Sequence, residues 1–242
     1  MKALVLAGGV GSRLQLDKIP KPMYKLNGKP VLEHNILLLK RHNISDVCIT
    51  IHHLPEVVKD YFGNGSKWNL KIQYSFEENL VGTAGSVKKA EWFFDQEPFF
   101  VIYGDNYTNI NLSKMLESHL SYNPLVTVAL FDPSKSINSR IAGGVVKIDS
   151  TNSIMSFIEG NNNTSKNQDS FVNAGVYILS PEIVKKLKPD TFYDFGKDVF
   201  PNLLNQGDLL KGYITDSFVI AIDTKGALEL AEQVALSIKE IN

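Results

Sequence analysis

The chain has 242 residues, enough for one large domain or two small ones around a sizeable buried core. Hydrophobic residues at 43% and charged residues at 21% sit close to globular averages, which excludes disordered, collagenous and coiled-coil chains. A formal net charge of −1 excludes a broad polyanion-binding surface, so nucleic acid is not an expected partner and any phosphate chemistry must use a few placed cations.

Residues 2–7 open on a lysine and continue as an unbroken apolar run that stops at Gly8-Gly9, the pattern of a buried parallel strand. The run is too short for a signal-peptide core or a membrane span, so a cytoplasmic protein without membrane association is the expectation. Residues 30–42 have helical spacing, with Val31, Leu32, Asn35, Ile36 and Leu39 on one face and Pro30 in the first turn. A strand follows at 46–51, where the lone Cys48 sits between Val47 and Ile49 and reads as a core residue. A helix at 55–62, a strand at 70–74 and a helix at 83–94 come next, then a strand at 99–103 that stops at Gly104-Asp105-Asn106. Strands alternating with helices at this spacing predict an α/β fold with a Rossmann-like, mostly parallel central sheet, whose sites lie at the carboxyl ends of the strands. Beyond residue 110 the texture changes. Strands at 125–131, 143–148, 154–159 and 171–179 are joined by turns, and the polar stretch 160–169 reads as a mobile loop. Helices at 181–188 and 196–205, strands at 209–214 and 218–222, and a last amphipathic helix at 225–240 complete a single domain over residues 1–242.

The loop Gly8-Gly9-Val10-Gly11-Ser12-Arg13 presents backbone N–H groups without Cβ obstruction, which suits phosphate oxygens; the glycines alone equally fit a tight turn. No Gly-Lys-Ser/Thr follows at P-loop spacing, and Leu14 stands where a dinucleotide fingerprint needs its third glycine. What separates this loop from a bland turn is Arg13 together with Pro20-Lys21-Pro22, where two prolines stiffen the backbone around a lysine. A planar arginine fork suits the outer phosphates of a triphosphate, and a lysine point charge suits the phosphorus under attack. Asp105, a hard carboxylate at a strand end, is a natural Mg2+ ligand, with a turn-forming aspartate as the alternative. The adjacent His52 and His53 do not suit zinc ligation.

These segments resemble the sugar-1-phosphate nucleotidyltransferases, nearest in pattern to mannose-1-phosphate guanylyltransferase. The matches are residues 6–14, Pro20-Lys21-Pro22-Met23, residues 28–34, Leu80-Val81-Gly82-Thr83-Ala84-Gly85, Gly104-Asp105-Asn106 and Asn173-Ala174-Gly175-Val176-Tyr177. The resemblance implies a fold of the nucleotide-diphospho-sugar transferase type, with a nucleotide-binding half at 1–110 and a β-rich acceptor-binding wall within 111–242. It implies nucleotide contacts from Leu6, Ala7, Gly8, Gly9, Gly11, Ser12, Arg13, Gly82 and Thr83, and catalytic roles for Arg13, Lys21 and Asp105. Glu77 and Glu78 stand where the family reads the base, and Glu78 is taken as the contact. A carboxylate accepts well from guanine's adjacent N–H donors, which favours GTP, with CTP second. Gly144, Glu159 and Asn173 correspond to acceptor contacts.

Two departures from the family pattern stand out. The second metal carboxylate normally lies in an Asp-x-Gly-Thr-Pro-Glu motif, but this chain reads Ile220-Ala221-Ile222-Asp223-Thr224-Lys225-Gly226. An ungapped match puts Ala221 in the aspartate's place, whereas a two-residue shift selects Asp223; Asp223 is preferred and Asp216 held in reserve. The family's Lys-Pro after the acceptor glutamate is here Gly160-Asn161, leaving Lys147, Lys166 and Lys197 as candidate replacements. The expected reaction condenses a nucleoside triphosphate with a sugar 1-phosphate, mannose-like hexose or heptose, and releases pyrophosphate with Mg2+ as cofactor. Two alternatives are a CTP-dependent cytidylyltransferase acting on a non-sugar phosphate or phosphonate, and a non-catalytic subunit that senses nucleotide sugar. Self-association is an expectation from size alone.

Overall fold

Alternation along the first strand organises the molecule: in β1 (Lys2–Leu6), Ala3 and Val5 pack into one buried cluster and Leu4 into another. The computed structural model describes residues 1–9, 11, 19–139, 143–160, 170–189 and 191–239. After β1 come the short β2 (Lys25–Leu26) and β3 (Lys29–Pro30), then α1 (Val31–Arg41), β4 (Asp46–Ile51), α2 (Pro55–Phe62) and β5 (Lys71–Phe76). They are followed by α3 (Gly82–Lys89), β6 (Phe99–Tyr103), β7 (Asn106–Thr108), α4 (Leu112–Tyr122), β8 (Val126–Phe131), β9 (Val145–Ile148) and β10 (Ile154–Ile158). The chain continues through β11 (Phe171–Leu179), α5 (Glu182–Lys186), α6 (Phe200–Asn205), β12 (Leu210–Thr215), β13 (Val219–Ala221) and α7 (Lys225–Lys239).

A nine-stranded sheet in the order β10-β9-β11-β6-β1-β4-β5, with β8 and β12 attached through β11, runs through the molecule. Its strands point the same way except β10 and β11, so the architecture is mixed α/β with a mostly parallel central sheet. One face is covered by α1, α2 and α4 through Ile36, Phe62 and Met115, the other by α3, α5 and α6 through Val87, Ile183 and Phe200. Cys48 lies fully buried within β4, where burial pushes its thiol up to about 12, so it is a core residue. A smaller third cluster joins α7 to the β7–β13 pair and to β2 through Ala231, Tyr107, Ile220 and Leu26. No helix among the described residues is long and apolar enough to cross a membrane.

Besides the short strands β2, β3 and β7, which were not expected, and α3, which ends at Lys89 rather than 94, two helices differ from expectation. The helix α4 has no counterpart in the sequence reading, although its signals are present: Asn111 accepts the Lys114 N–H at 3.0 Å, and Leu112, Met115 and His119 are buried along one face. The helix expected over 196–205 begins instead as a π-turn at Phe195–Val199, closed by the Phe200 N–H on the Phe195 carbonyl. Pro201 has no N–H to donate four residues back, so the ladder widens there before α6 resumes. The stretch read as a mobile loop lies, except for Gly160, outside the described residues.

Candidate active site

The glycine loop leaves the carboxyl end of β1, held by the Ala7 N–H on Thr50 Oγ1 at 3.1 Å. Leu6, Gly8 and Gly9 line a cleft of about 290 Å³, while the side chain of Ala7 is turned into the core behind them. Gly11 shows why a glycine is needed: its φ is +68°, and a Cβ there would stand 2.9 Å from Lys21 Cβ. The loop can therefore close over the lysine stem only without a side chain. Ser12 and Arg13, expected to grip the triphosphate, lie outside the described residues.

Lys21 opens a 3-10 turn, Lys21–Met23, bracketed by Pro20 and Pro22, and is only 6% exposed. Its ammonium bonds the carboxylates of both Asp105 and Asp223. Burial disfavours its charge, but the two aspartates outweigh it and hold its pKa above the ordinary lysine value. A tight turn places Asp105: the Gly104 N–H donates to the Leu6 carbonyl at 2.9 Å, and a Cβ on Gly104 would meet that same oxygen. Asp223 arrives by sheet register. In the antiparallel β7–β13 pair Ala221 stands opposite Asn106, and the Ile222 N–H donates to the Asp105 carbonyl at 3.1 Å. The two-residue shift that selects Asp223 thus corresponds to a carboxylate at the site, whereas Ala221 lies within the ladder. Asp216, the reserve, is exposed and lines neither cleft.

The wall of the first cleft holds Glu77 rather than Glu78. Glu78 is exposed and absent from the wall; Glu77 is 2% exposed and lines it. The Glu77 N–H donates to the Ile51 carbonyl, continuing the β5–β4 ladder, so period two sends Ser75 and Glu77 inward and Phe76 and Glu78 outward. Burial raises the Glu77 pKa, with Ser86 opposing through a hydrogen bond, and Oε1 has no hydrogen-bond partner. Gly82 and Thr83 also line this cleft. The Thr83 hydroxyl, however, donates to Asp194 Oδ1 and accepts the Phe195 N–H, each at 2.9 Å, so it latches a distant segment to α3.

A second cleft of about 230 Å³ shares Tyr103 and Asp105 with the first and is also lined by Asp223. The three expected acceptor residues meet there. Gly144 leaves room that a Cβ would take from the Phe157 ring and from Glu159 Oε2, and its carbonyl accepts the Asn173 N–H at 2.9 Å. Asn173 is oriented by its amide donating to the Tyr177 hydroxyl and accepting the Gly175 N–H. Glu159 has a buried Oε2 without a hydrogen-bond partner; burial first, then Asp194, raise its pKa, and Lys197 opposes. Neither Lys147 nor Lys197 lines this cleft, and Lys166 is outside the described residues. Sequence reasoning missed Tyr103, the residue other than Asp105 common to both clefts; its place at the carboxyl end of β6 was the available signal.

Residues 2–218 of the chain match the nucleotidyl transferase family model. The chain belongs to the nucleotidyl transferase family. Among similar family members is a UTP--glucose-1-phosphate uridylyltransferase of Synechocystis, 31% identical over 86% of this chain and 56% of that one. The chain therefore spans little more than half of that relative. It spans 93% of a D-glycero-alpha-D-manno-heptose 1-phosphate guanylyltransferase of Aneurinibacillus thermoaerophilus, 31% identical over 92% of this chain. Its fold is similar to that of HddC from Yersinia pseudotuberculosis, crystallised with GMP-PN, at a TM-score of 0.81 and 25% identity, covering 96% of this chain and 98% of that one.

Proposed function

We propose that the chain transfers a nucleotidyl group from GTP to a sugar 1-phosphate, a mannose-like hexose or a heptose, and releases pyrophosphate. The observation that carries this reading is that Asp105 belongs to both clefts and is bonded, with Asp223, to Lys21. A phosphorus at that junction has a nucleotide on one side and an acceptor on the other. An acceptor phosphate oxygen forms the new bond to the α-phosphorus as the bond to the bridging oxygen of pyrophosphate breaks. A phosphate monoester is already nucleophilic, so alignment and charge neutralisation suffice. Lys21, kept protonated by its two carboxylates, faces charge developing on the α-phosphoryl oxygens. Gly8, Gly9 and Gly11 with Ser12 and Arg13 cradle the outer phosphates.

Asp105 and Asp223 fit Mg2+, which takes one or two hard carboxylates and fills its other positions with water and substrate phosphate. When bound there, it would supply Lewis-acid neutralisation of the phosphates. Guanylyl transfer is supported by Glu77 in the cleft wall, a carboxylate suited to the N–H donors of guanine, and by the guanylyltransferase relatives. Glu159 lines the second cleft and its carboxylate suits an acceptor hydroxyl, with Gly144 and Asn173 completing the contact. The rival acceptor, a non-sugar phosphate or phosphonate with CTP, draws on one observation: among the described residues no lysine or arginine lines the acceptor cleft. Pyrophosphate release measured with each nucleoside triphosphate against a panel of sugar 1-phosphates and simple phosphonates tests both. Turnover only with CTP and a non-sugar acceptor overturns the proposal.

A further inference from the structure

Phe192 is 64% exposed and lines the nucleotide cleft together with Gly8, Glu77 and Leu80. It does not line the acceptor cleft, and it makes no ring contact with another aromatic side chain among the described residues. Yet its backbone is held firmly. The Tyr193 N–H donates to the Val81 carbonyl at 2.9 Å, and the Tyr193 carbonyl accepts from Ala84 and Gly85 at the start of α3. Thr83 adds the two bonds to Asp194 and Phe195. Contact between the two segments is close enough that a Cβ on Gly82 would stand 2.5 Å from the Tyr193 carbonyl oxygen, and one on Gly85 3.0 Å from that of Thr191. These bonds occupy the Ala84 and Gly85 amides in the first turn of α3. What the latch achieves is to carry one large, solvent-facing aromatic ring from the C-terminal half to the cleft wall.

We propose that Phe192 is a specificity-determining residue that covers the face of the nucleobase, with Leu80, itself 41% exposed, lining the same end of the cleft. A phenyl ring left in water on a rigid mount costs little to immobilise, and a flat π-face is the surface it complements. The edge of the base is then read by Glu77 and its face by Phe192. The proposal rests on the nucleotide occupying this cleft, and it adds a preference for large aromatic bases that no hydrogen bond supplies.

Equilibrium binding of GTP, CTP and UTP and of inorganic tripolyphosphate, in the absence of acceptor, tests it on the full chain with Phe192→Ala, Phe192→Leu and Phe192→Trp. The Ala variant is expected to weaken GTP about tenfold and the pyrimidine nucleotides less, while tripolyphosphate binding is unchanged. Trp is expected to restore affinity and Leu to restore it in part, because Leu keeps bulk without the π-face. Unchanged Kd values for every nucleotide overturn the proposal, as does an equal loss for tripolyphosphate, which would mean that the segment only positions the loop. If the wild-type chain binds a pyrimidine nucleotide best and Phe192→Ala still weakens it selectively over tripolyphosphate, the GTP reading fails while the role of Phe192 stands.

Discussion

The proposed nucleotide cleft is walled by the ends of parallel strands β1, β4 and β5 and by α3, with Phe192 and Asp194 added from the C-terminal half, whereas the proposed acceptor cleft is walled by Gly143-Gly144 ahead of β9, the bulged β11 and the β7–β13 pair. Apart from Phe192 and Asp194, the first wall comes from the N-terminal half of the chain in a repeating strand–helix pattern, with Thr50, Glu77 and Asp105 at strand ends where parallel sheets leave room. The second is assembled from antiparallel pieces brought together over long sequence separations. It depends on close fits: Gly144 and Gly196 both press against Glu159, and Gly175, at φ +67°, bends β11 between Asn173 and Tyr177. Loops over a parallel edge can hold the common part of a reaction, a triphosphate. A wall of shaped fits suits the part that differs between relatives, the acceptor.

Breaking the junction between the clefts has the largest expected consequence. Lys21→Ala should lower kcat at least about a hundredfold with far-UV circular dichroism unchanged; near wild-type turnover would remove the lysine from the chemistry. Asp223→Asn should follow, with roughly a ten- to hundredfold loss and a higher Mg2+ concentration for half-maximal rate. Asp216→Asn is the control and should behave as wild type. If the roles of the two aspartates are exchanged, the register argument fails.

Smaller effects separate the two walls. Glu159→Gln should raise the KM for the acceptor about tenfold while leaving nucleotide Kd unchanged, since it exchanges a charged hydrogen bond for a neutral one on one side only. A loss of nucleotide affinity would show that the clefts are not independent. The least change is expected in stability. Burial raises the Glu77 pKa, so the folded chain holds that proton more tightly than the unfolded chain does. Ionisation therefore costs stability as pH rises through the folded value, and the cost vanishes below the ordinary glutamate range. Glu77→Gln should raise Tm near pH 7 and leave it unchanged near pH 4. The same gain at both pH values would mean that packing, not charge, is responsible.

Much of the nucleotide half could be read from the chain alone, because its signals are local. The run before Gly8, the prolines around Lys21 and the stop at Gly104-Asp105 each announce a strand end or a stiff turn within a few residues. Period two would also have separated Glu77 from Glu78, had β5 been extended one ladder bond past Phe76. Asp223 is preferred over Asp216 only through a two-residue shift of the family motif. Its partnership with Lys21 spans 202 residues and depends on the register of β13 against β7, which no local pattern encodes. The latch from Thr83 to Asp194 and Phe195, which brings Phe192 to the cleft, bridges 111 residues or more and rests on the same kind of cause. Local propensity and periodicity act over a turn or a strand, so the chain by itself specifies elements and the chemistry at their ends. Which ends meet is decided by burial of the two sheet faces and by strand register, and those exist only once the sheet is assembled.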